Sequence, residues 1–395
     1  MHKPIWKHSL LRPRGTSDDG SVSFLELFFD VVFVFTVIQL SYRMAHHYDS
    51  IGVLETVILI FAVWWVWIYT TWTMNWLDPE RPPVRAMLFL LMFLALILSI
   101  AIPQAYEDRG YMFAAAFVTM QVGRSIFMAS ALKGYDDRNF TSFIRITTWL
   151  AIGGVFWIWG AFSDHQMRLW LWILAMVLDY SAPAFGYWVP GIGRSASTDW
   201  NVTGAHIAER CALFIIICLG ETVLATGRIL ADAEISVSSF AGLIVSFATT
   251  FGLWWVYFRF GQRRATHLIE STGDPGAIAR AMFTYPHFVI VAGIILTAVG
   301  FEFMLQHPVE TSNIRTASAI IGGPALFLLG NIWFKGLGAH RPPLSHLVGI
   351  AIMAAVFIAH GWMNNLLLGF VIAAILILVA AWEAVSLGGQ ERPAP

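Results

Sequence analysis

Charged residues are scarce in this chain. Only 12% of its 395 residues are Asp, Glu, Lys or Arg, whereas 57% are hydrophobic, and the mean hydropathy is +0.67. Soluble domains carry about 25% charged residues, so this composition excludes an ordinary soluble protein and indicates a polytopic membrane protein. The net charge of −1 and the lack of a long basic run argue against a nucleic-acid partner.

Cysteine and the common catalytic motifs are also nearly absent. The two cysteines, Cys211 and Cys218, lie in one apolar stretch and are too far apart along a helix to form a disulfide. The chain has no His-Glu-x-x-His, Gly-x-Ser-x-Gly or Cys-x-x-Cys motif and no glycine-rich phosphate loop. We therefore expect no metal site and no cofactor.

Long apolar runs dominate what is present. A spanning helix needs about 20 mainly apolar residues, and the chain offers twelve such stretches separated by short polar, Gly- or Pro-containing turns. These stretches predict an all-α polytopic membrane protein with helices at residues 23–43, 51–73, 85–106, 111–132, 141–162, 168–189, 205–227, 236–258, 280–304, 315–334, 343–362 and 364–386.

The distribution of basic residues predicts the orientation in the membrane. The N-terminal segment is polar and basic and has no small-residue cleavage pattern, so we expect the first helix to anchor the protein. A cytoplasmic N-terminus places seventeen of the 24 Lys and Arg residues on the cytoplasmic side and five on the other side. The positive-inside rule then predicts that both termini are cytoplasmic.

The chain resembles itself at four places that occur in the same order. The matched segments are Leu27-Phe28 with Leu213-Phe214, Phe61–Trp67 with Phe251–Tyr257, Arg85–Met87 with Arg280–Met282, and Gly123-Arg124 with Gly330-Asn331. They predict two parallel six-helix repeats, the arrangement of many transporters, although a duplicated but purely structural bundle is the alternative. The predicted organisation is a cytoplasmic tail at 1–22, repeats at 23–189 and 205–386, a cytoplasmic linker at 190–204 and a cytoplasmic tail at 387–395.

Two carboxylates stand at the head of the first apolar run. Glu26 and Asp30 are four residues apart and therefore share one helix face. An ionisable residue inside a span indicates a functional site, because charge is costly there. The alternative is that the two acids lie at headgroup level and only cap the first turn.

The seventh span carries a second set of polar groups, namely His206, Glu209, Arg210 and Glu221. His206, Arg210 and Glu221 fall on one stripe of a helix, with Glu221 about 16 Å from Arg210 along the axis and near the middle of the bilayer. Glu221 is a candidate for proton exchange. Glu209 and Arg210 are candidates for substrate binding. An equally strong alternative is that they form buried ion pairs with other helices, in which Arg210 contacts Glu26 or Asp30.

Four further polar residues are expected at depth: Arg124, Asp179, His287 and Asn331. Each also has a structural interpretation. Arg124 would neutralise Asp179 or Glu221, His287 would hydrogen-bond to a neighbour, and Asn331 would join two helices. Together these groups predict a polar interior that a purely structural bundle would not need.

Five motifs resemble those of the bacterial low temperature requirement A family. They are Phe24–Phe35 with its Phe-Leu-Glu-Leu-Phe-Phe-Asp core, Trp64-Trp65, Ala101-Ile-Pro-Gln-Ala105, His206-x-x-Glu209-Arg210 with Leu219-Gly-Glu221, and Tyr285-Pro-His287. The resemblance covers residues 20 to 385 and implies a multi-pass protein of the bacterial inner membrane. A distant likeness also exists to two-repeat potassium and proton channels with a Phe-Ser-Asp motif, although Phe29-Asp30 lacks the serine.

Two functions of different classes remain open from the sequence. The first is a transporter or channel for a proton, a cation or a small solute, with Glu221 and Asp30 as protonatable groups and Arg210 and Arg124 tuning their charge. The second is an intramembrane enzyme acting on a lipid or isoprenoid, with Glu209, His206 and His287 as acid and base. Expected partners are membrane lipids and a small ion or solute, and the oligomeric state is left open.

Overall fold

The computed structural model describes residues 10–13, 21–196, 202–231, 234, 236–259, 274–338 and 342–388, and in these residues helices are the regular secondary structure apart from isolated bridges. Twelve long helices lie in the described residues. They are α1 (Phe24–His46), α2 (Ser50–Met74), α3 (Pro82–Ala101), α4 (Gly110–Leu132), α5 (Asp137–Ala161), α6 (His165–Ser181), α7 (Gly204–Ala231), α8 (Val237–Phe258), α9 (Tyr285–Gln306), α10 (Ile314–Gly338), α11 (Leu344–Ile358) and α12 (Asn365–Gly388).

Ten of the helices in the described residues are long and apolar enough to cross a membrane. The eighth of these begins before α9, because a short helix at Pro275–Ala279 and a π-helical turn at Arg280–Thr284 continue directly into it. The other two helices, α6 and α11, have 17 and 15 residues. The expectation of twelve full-length spans is therefore wrong for two of them.

The helices predicted at 168–189 and 343–362 are shorter than expected, and the reason is the same for both. The helix α6 ends at Ser181, just before Pro183, and the chain then turns through Gly186 and Tyr187, both at positive φ. The helix α11 ends at Ile358 and is followed by a short 3₁₀ turn. In both places apolar turn residues lengthened the hydropathy signal without lengthening the helix.

Local caps fix where several helices begin. Asp49, Asp136 and Asp164 precede α2, α5 and α6, and each carboxylate accepts hydrogen bonds from backbone N–H groups of the first turn. Ser236 and Ser239 form a reciprocal capping box at the start of α8. Such caps satisfy backbone donors that the helix itself leaves unpaired.

The chain divides into two compact units. Unit 1 comprises Met1–Arg43, Asp49–Arg210 and Ile269–Arg280, and unit 2 comprises Met44–Tyr48, Cys211–Leu268 and Ala281–Pro395. The boundary falls inside α7, so Arg210 belongs to unit 1 and Cys211 to unit 2. The domain boundaries expected from the sequence stay a prediction.

Tryptophan fills the core of unit 1. Trp64, Trp65 and Trp67 of α2 are each buried. Trp157 of α5 packs against Trp172 of α6 with ring centroids 5.1 Å apart, and the Trp172 indole N–H donates to the Trp157 carbonyl at 3.0 Å. A buried indole N–H usually has such a partner.

Glycine brings α9 and α10 together in unit 2. A Cβ atom on Gly323 would lie 2.4 Å from the backbone nitrogen of Thr297, and one on Gly293 would lie 2.5 Å from that of Phe327. A Cβ atom on Gly300 would lie 2.9 Å from the Cα atom of Ile320, and one on Gly330 would lie 2.8 Å from the backbone nitrogen of Ile290. Small residues let two helix backbones approach closely, which is the usual basis of tight packing between apolar helices.

Candidate functional site

The helix α1 begins with a capping box that includes Glu26. The backbone N–H of Glu26 donates to Ser23 Oγ at 3.2 Å, while the N–H and the hydroxyl of Ser23 each donate to Glu26 Oε2 at 3.0 Å. This reciprocal pair satisfies two groups at the helix start. Glu26 thus caps the first turn, but it is also fully buried and contacts His206 and Arg210, so capping is not its only role.

Arg210 of α7 bridges the two acids of α1. Its Nη2 lies 2.6 Å from Asp30 Oδ1 and its Nη1 lies 3.2 Å from Glu26 Oε1. One turn earlier on α7, His206 Nε2 lies 2.8 Å from the same Glu26 oxygen. All four residues are at most 1% exposed. We call Glu26, Asp30, His206 and Arg210 the α1–α7 cluster.

Only one of the two carboxylate oxygens of Asp30 accepts hydrogen bonds within the described residues. Oδ1 accepts from Arg210 and also from the indole N–H of Trp67 at 2.8 Å. Oδ2 is buried and has no hydrogen-bond partner among the described residues. The Arg210 guanidinium also lies over the rings of Phe29 and Trp67, at 5.9 and 5.7 Å, which further stabilises its charge.

A second arginine closes the cluster from the N-terminal segment. Arg12 Nη2 lies 2.7 Å from Glu26 Oε2 and 3.3 Å from His206 Nε2. Its Nε donates to the carbonyls of Met74 and Leu77, each at 3.0 Å, which anchors the segment beside the end of α2. Two ionised carboxylates then meet two guanidinium groups, so the charges balance if His206 is neutral.

Asn75, just after α2, holds the other side of His206. Its amide oxygen accepts from the Thr203 N–H at 3.0 Å and its amide nitrogen donates to the Thr203 carbonyl at 2.9 Å. The same nitrogen lies 3.3 Å from His206 Nδ1. The imidazole is therefore fixed between Asn75 and Glu26, which orients both of its nitrogens.

Arg124 of α4 is buried without a carboxylate partner among the described residues. It donates to Gln121 Oε1 at 2.5 Å, to Thr70 Oγ1 at 3.0 Å and to the Val66 carbonyl at 3.2 Å. Its guanidinium also lies 5.5 Å from the ring centroid of Tyr69. The expectation that Arg124 neutralises Asp179 is wrong, because neutral oxygens of α2 and α4 accept its hydrogen bonds instead, and its pairing with Glu221 stays a prediction.

Asp179 of α6 has its own separate environment in unit 1. The indole N–H of Trp157 donates to Asp179 Oδ2 at 3.2 Å, and Oδ1 has no hydrogen-bond partner within the described part of the chain. A Cβ atom on Gly153 would lie 2.6 Å from Oδ1. A glycine at this position therefore makes room for the carboxylate between α5 and α6.

The two glutamates expected in the seventh span differ strongly. Glu209 is exposed, so it is not part of a buried ion pair. Glu221 belongs to unit 2 and is fully buried, and Arg228 Nη2 lies 3.8 Å from its Oε1. The sequence reasoning missed Arg228, which lies two helical turns further along α7, on the same face.

His287 and Asn331 both have local hydrogen bonds in unit 2. His287 Nε2 lies 2.8 Å from the Tyr257 hydroxyl, and Nδ1 lies 3.1 Å from the Met282 carbonyl. Asn331 donates to the Phe327 carbonyl at 2.9 Å, one turn back on its own helix. The neighbour-bonding interpretation of His287 is correct, whereas the interhelical role expected for the Asn331 amide donor is wrong.

Two more buried ionic groups were not expected from the sequence. In unit 1, Glu55 lies 2.6 Å from Arg43 and 2.7 Å from His165. In unit 2, Lys335 lies 2.7 Å from Glu383, and its Nζ lies 3.3 Å from His346. Across the described residues, no group of three or more His, Cys, Asp or Glu side chains is placed to hold a metal ion.

Sequence reasoning predicted the four members of the α1–α7 cluster but not the residues around them. It singled out all four members and named the pairing of Arg210 with Glu26 or Asp30 as one outcome. It missed Arg12 and Asn75, which lie outside the spans, and Trp67, which was counted only as part of an aromatic repeat. The sequence gives only a weak signal for Arg12 and Asn75, since a polar residue next to a span usually faces water.

Comparison with known proteins identifies the family. The model of the bacterial low temperature requirement A protein family (LtrA) matches residues 21–381. The chain belongs to the LtrA family. A protein of Rhizobium meliloti (strain 1021) described as uncharacterized is 44% identical over 386 residues, which cover 97% of this chain and 94% of that protein. No solved structure matches. The LtrA match includes every member of the α1–α7 cluster, while Arg12 lies just before it.

Proposed function

We propose that this LtrA protein is a permeation protein of the bacterial cytoplasmic membrane that moves a proton, another cation or a small solute. The α1–α7 cluster is its protonatable site, and Glu221 is a second protonatable group. The observation that carries the proposal is Asp30, a fully buried carboxylate with one oxygen held by Arg210 and Trp67 and the other unbonded within the described residues. Ionisable residues inside spans typically mark ion pathways and proton relays.

The geometry gives Arg210 two competing counter-ions. Its two terminal nitrogens contact different carboxylates, Asp30 at 2.6 Å and Glu26 at 3.2 Å. A proton on Asp30 removes the charge that attracts Nη2, so Arg210 then favours Glu26. His206 lies 2.8 Å from Glu26 Oε1, so Glu26 has a second partner whichever carboxylate Arg210 favours. The cluster thus has two arrangements that differ by one proton, which is what coupling to transport requires.

A purely structural role accounts poorly for so many charges. Replacing a buried ion pair by well-packed apolar residues is often neutral or stabilising, because the attraction of the pair barely offsets the cost of removing both charges from water. Four buried ionisable groups with an unbonded carboxylate oxygen are therefore weak as a stabilising device. They are better suited to binding and releasing a proton or a cation.

The proposal includes the two six-helix repeats. Within unit 1, neighbouring helices are α2 with α4 and α6, α3 with α4, and α5 with both α4 and α6. The same five pairs, each shifted by six helices, are neighbours in the second half: α8 with α10 and α12, α9 with α10, and α11 with both α10 and α12. This parallel packing supports a duplication, in addition to the matched sequence segments. Both termini are proposed to be cytoplasmic on the strength of the positive-inside count, with α6 and α11 taken as short spans that also cross the membrane.

The intramembrane-enzyme hypothesis has less support. Its acid–base set was Glu209, His206 and His287. Both ring nitrogens of His287 are hydrogen-bonded, to Tyr257 and to the Met282 carbonyl, and Glu209 is exposed. No contact of the described residues favours this hypothesis specifically, so permeation is preferred.

The test is flux through the reconstituted protein. Purified full-length chain in proteoliposomes is expected to carry a pH-dependent proton or cation flux, read with a pH-sensitive dye inside the vesicles. Asp30→Asn keeps the size of the side chain but removes the charge, and should reduce the flux at least tenfold because Arg210 loses its alternating counter-ion.

The matched control is Glu383→Gln. Glu383 is also a buried, ion-paired carboxylate of a long helix, bonded to Lys335. The control should keep at least half of the flux, and both variants should elute as the wild type does in size-exclusion chromatography. Flux in Asp30→Asn equal to that of the wild type, at equal protein content, would contradict the proposal.

A further inference from the structure

The segment after α6 folds into a compact loop instead of continuing the helix. The Tyr187 N–H donates to the Ala182 carbonyl at 2.9 Å, and the Ser195 N–H donates to the Gly186 carbonyl at 2.8 Å. Gly186 and Tyr187 both have positive φ, 60° and 51°. Positive φ is unfavourable for tyrosine, and residues held this way cluster at functional sites.

The helix α5 fixes this loop from the side. Arg145 Nη2 donates to the Ile192 carbonyl at 2.5 Å and its Nη1 to Ser195 Oγ at 3.3 Å. The Trp149 indole N–H donates to the Trp188 carbonyl at 3.0 Å. The loop is therefore a preformed part of unit 1.

A cavity of about 960 Å³ opens against this loop, entirely within unit 1. Its lining includes two guanidinium groups, Arg194 and Arg280, and no carboxylate among the described residues. Arg194 makes no ion pair or hydrogen bond within the described part of the chain. Arg280 makes one long contact, 3.5 Å to the Pro183 carbonyl. Both arginines are thus available to a ligand.

We propose that this cavity binds the phosphate headgroup of an anionic phospholipid. Guanidinium groups present paired N–H donors that match phosphate oxygens, so two unpaired arginines in one cavity favour a phosphate over a neutral ligand. Basic pockets between membrane helices on the cytoplasmic side are typical sites for anionic headgroups.

Aromatic side chains at the mouth of the cavity favour a lipid over a free phosphate. Phe185 and Trp188 line the cavity and are 63% and 54% exposed. Exposed aromatic rings of this kind sit at the level of the lipid headgroups. A free phosphate ion needs the arginines but not the aromatic rim, whereas a phospholipid uses both.

The test measures lipid binding to the full-length protein in detergent by native mass spectrometry. Phosphatidylglycerol and phosphatidylcholine with the same acyl chains are titrated separately, and inorganic phosphate is titrated as a third probe. Phosphatidylglycerol should bind more tightly than phosphatidylcholine. Arg194→Gln combined with Arg280→Gln should weaken phosphatidylglycerol binding roughly 25-fold, about fivefold per arginine, and leave phosphatidylcholine unchanged.

Arg85→Gln is the matched control. Arg85 corresponds to Arg280 in the proposed repeat but is exposed and paired with Glu80 at 2.7 Å. This variant should bind phosphatidylglycerol as the wild type does. Unchanged binding in the double variant would overturn the site. Binding of inorganic phosphate as tight as that of phosphatidylglycerol would overturn the lipid assignment.

Discussion

At the scale of single residues, Arg210 dominates the energetics of the α1–α7 cluster. It is fully buried, contacts two carboxylates and lies over two aromatic rings. Removing one partner of a buried ion pair leaves the other charge uncompensated, which costs far more than the intact pair contributes. The stability of this region therefore depends on Arg210 being present.

Substitution of Arg210 by glutamine should strongly destabilise the protein. We expect a loss of about 3 to 5 kcal/mol in the free energy of unfolding, because Glu26 and Asp30 then lie side by side without this cation. Thermal unfolding in detergent, followed by intrinsic tryptophan fluorescence, measures the change. Adding Asp30→Asn to Arg210→Gln should recover part of the loss, and strict additivity of the two changes would contradict a direct pair.

The contacts between buried charged residues were harder to predict than the identity of those residues. Glu26, Asp30, His206 and Arg210 stand out in sequence because charge is rare in apolar runs. The partners of Arg124 did not follow from charge alone, since neutral oxygens also accept hydrogen bonds from a buried guanidinium. Charge complementarity alone thus overestimates how many buried ions pair with one another.

At the scale of helices, the contact between α9 and α10 is the tightest interface of unit 2 in backbone terms. Gly323 and Gly293 face the partner backbone at distances that no side chain tolerates. The sequence predicted both helices correctly, but the apolar pattern did not reveal this interface, because glycine carries no hydrophobic signal.

A methyl group at Gly323 should disrupt this interface. Gly323→Ala places a Cβ atom 2.4 Å from the Thr297 nitrogen, so we expect a loss of about 1 to 3 kcal/mol in the free energy of unfolding. Gly336→Ala on the same helix is the control, since nothing lies within 4 Å of its Cβ position. It should be neutral or stabilising by up to about 1 kcal/mol. Equal melting temperatures of the two variants would contradict the close approach.

Helix lengths show where hydropathy misleads. The run from α6 into the following loop is mostly apolar, yet the helix stops at Ser181 because Pro183 follows. The aromatic residues beyond it, Phe185 and Trp188, line a cavity instead of extending a span. Hydropathy averaged over about 20 residues does not distinguish apolar side chains of a spanning helix from those that line a cavity.

At the scale of the whole molecule, the proposed topology has a direct consequence for α4. The helix runs from Gly110 to Leu132, with exposed Asp108 before it and exposed Lys133 after it. The proposed orientation puts Asp108 outside and Lys133 in the cytoplasm. The two native cysteines, Cys211 and Cys218, are buried and can be replaced by alanine for labelling experiments.

Cysteine labelling in intact cells tests this orientation. In a Cys211→Ala/Cys218→Ala background, Asp108→Cys should react with a membrane-impermeant maleimide, and Lys133→Cys should react only after the cells are permeabilised. The reverse pattern would show that the N-terminus is outside. Labelling of both positions in intact cells would show that α4 does not cross the membrane.

One carboxylate gives the start of α1 a further property. Glu26 Oε2 holds the backbone of Ser23, while Oε1 contacts His206 and Arg210. The Glu26 carboxylate therefore both caps the first turn of α1 and serves as a counter-ion for His206 and Arg210. Protonation of Glu26 weakens both its hydrogen bonds to Ser23 and its ion pairs with His206 and Arg210. A single proton would therefore increase the mobility of the residues that enter α1.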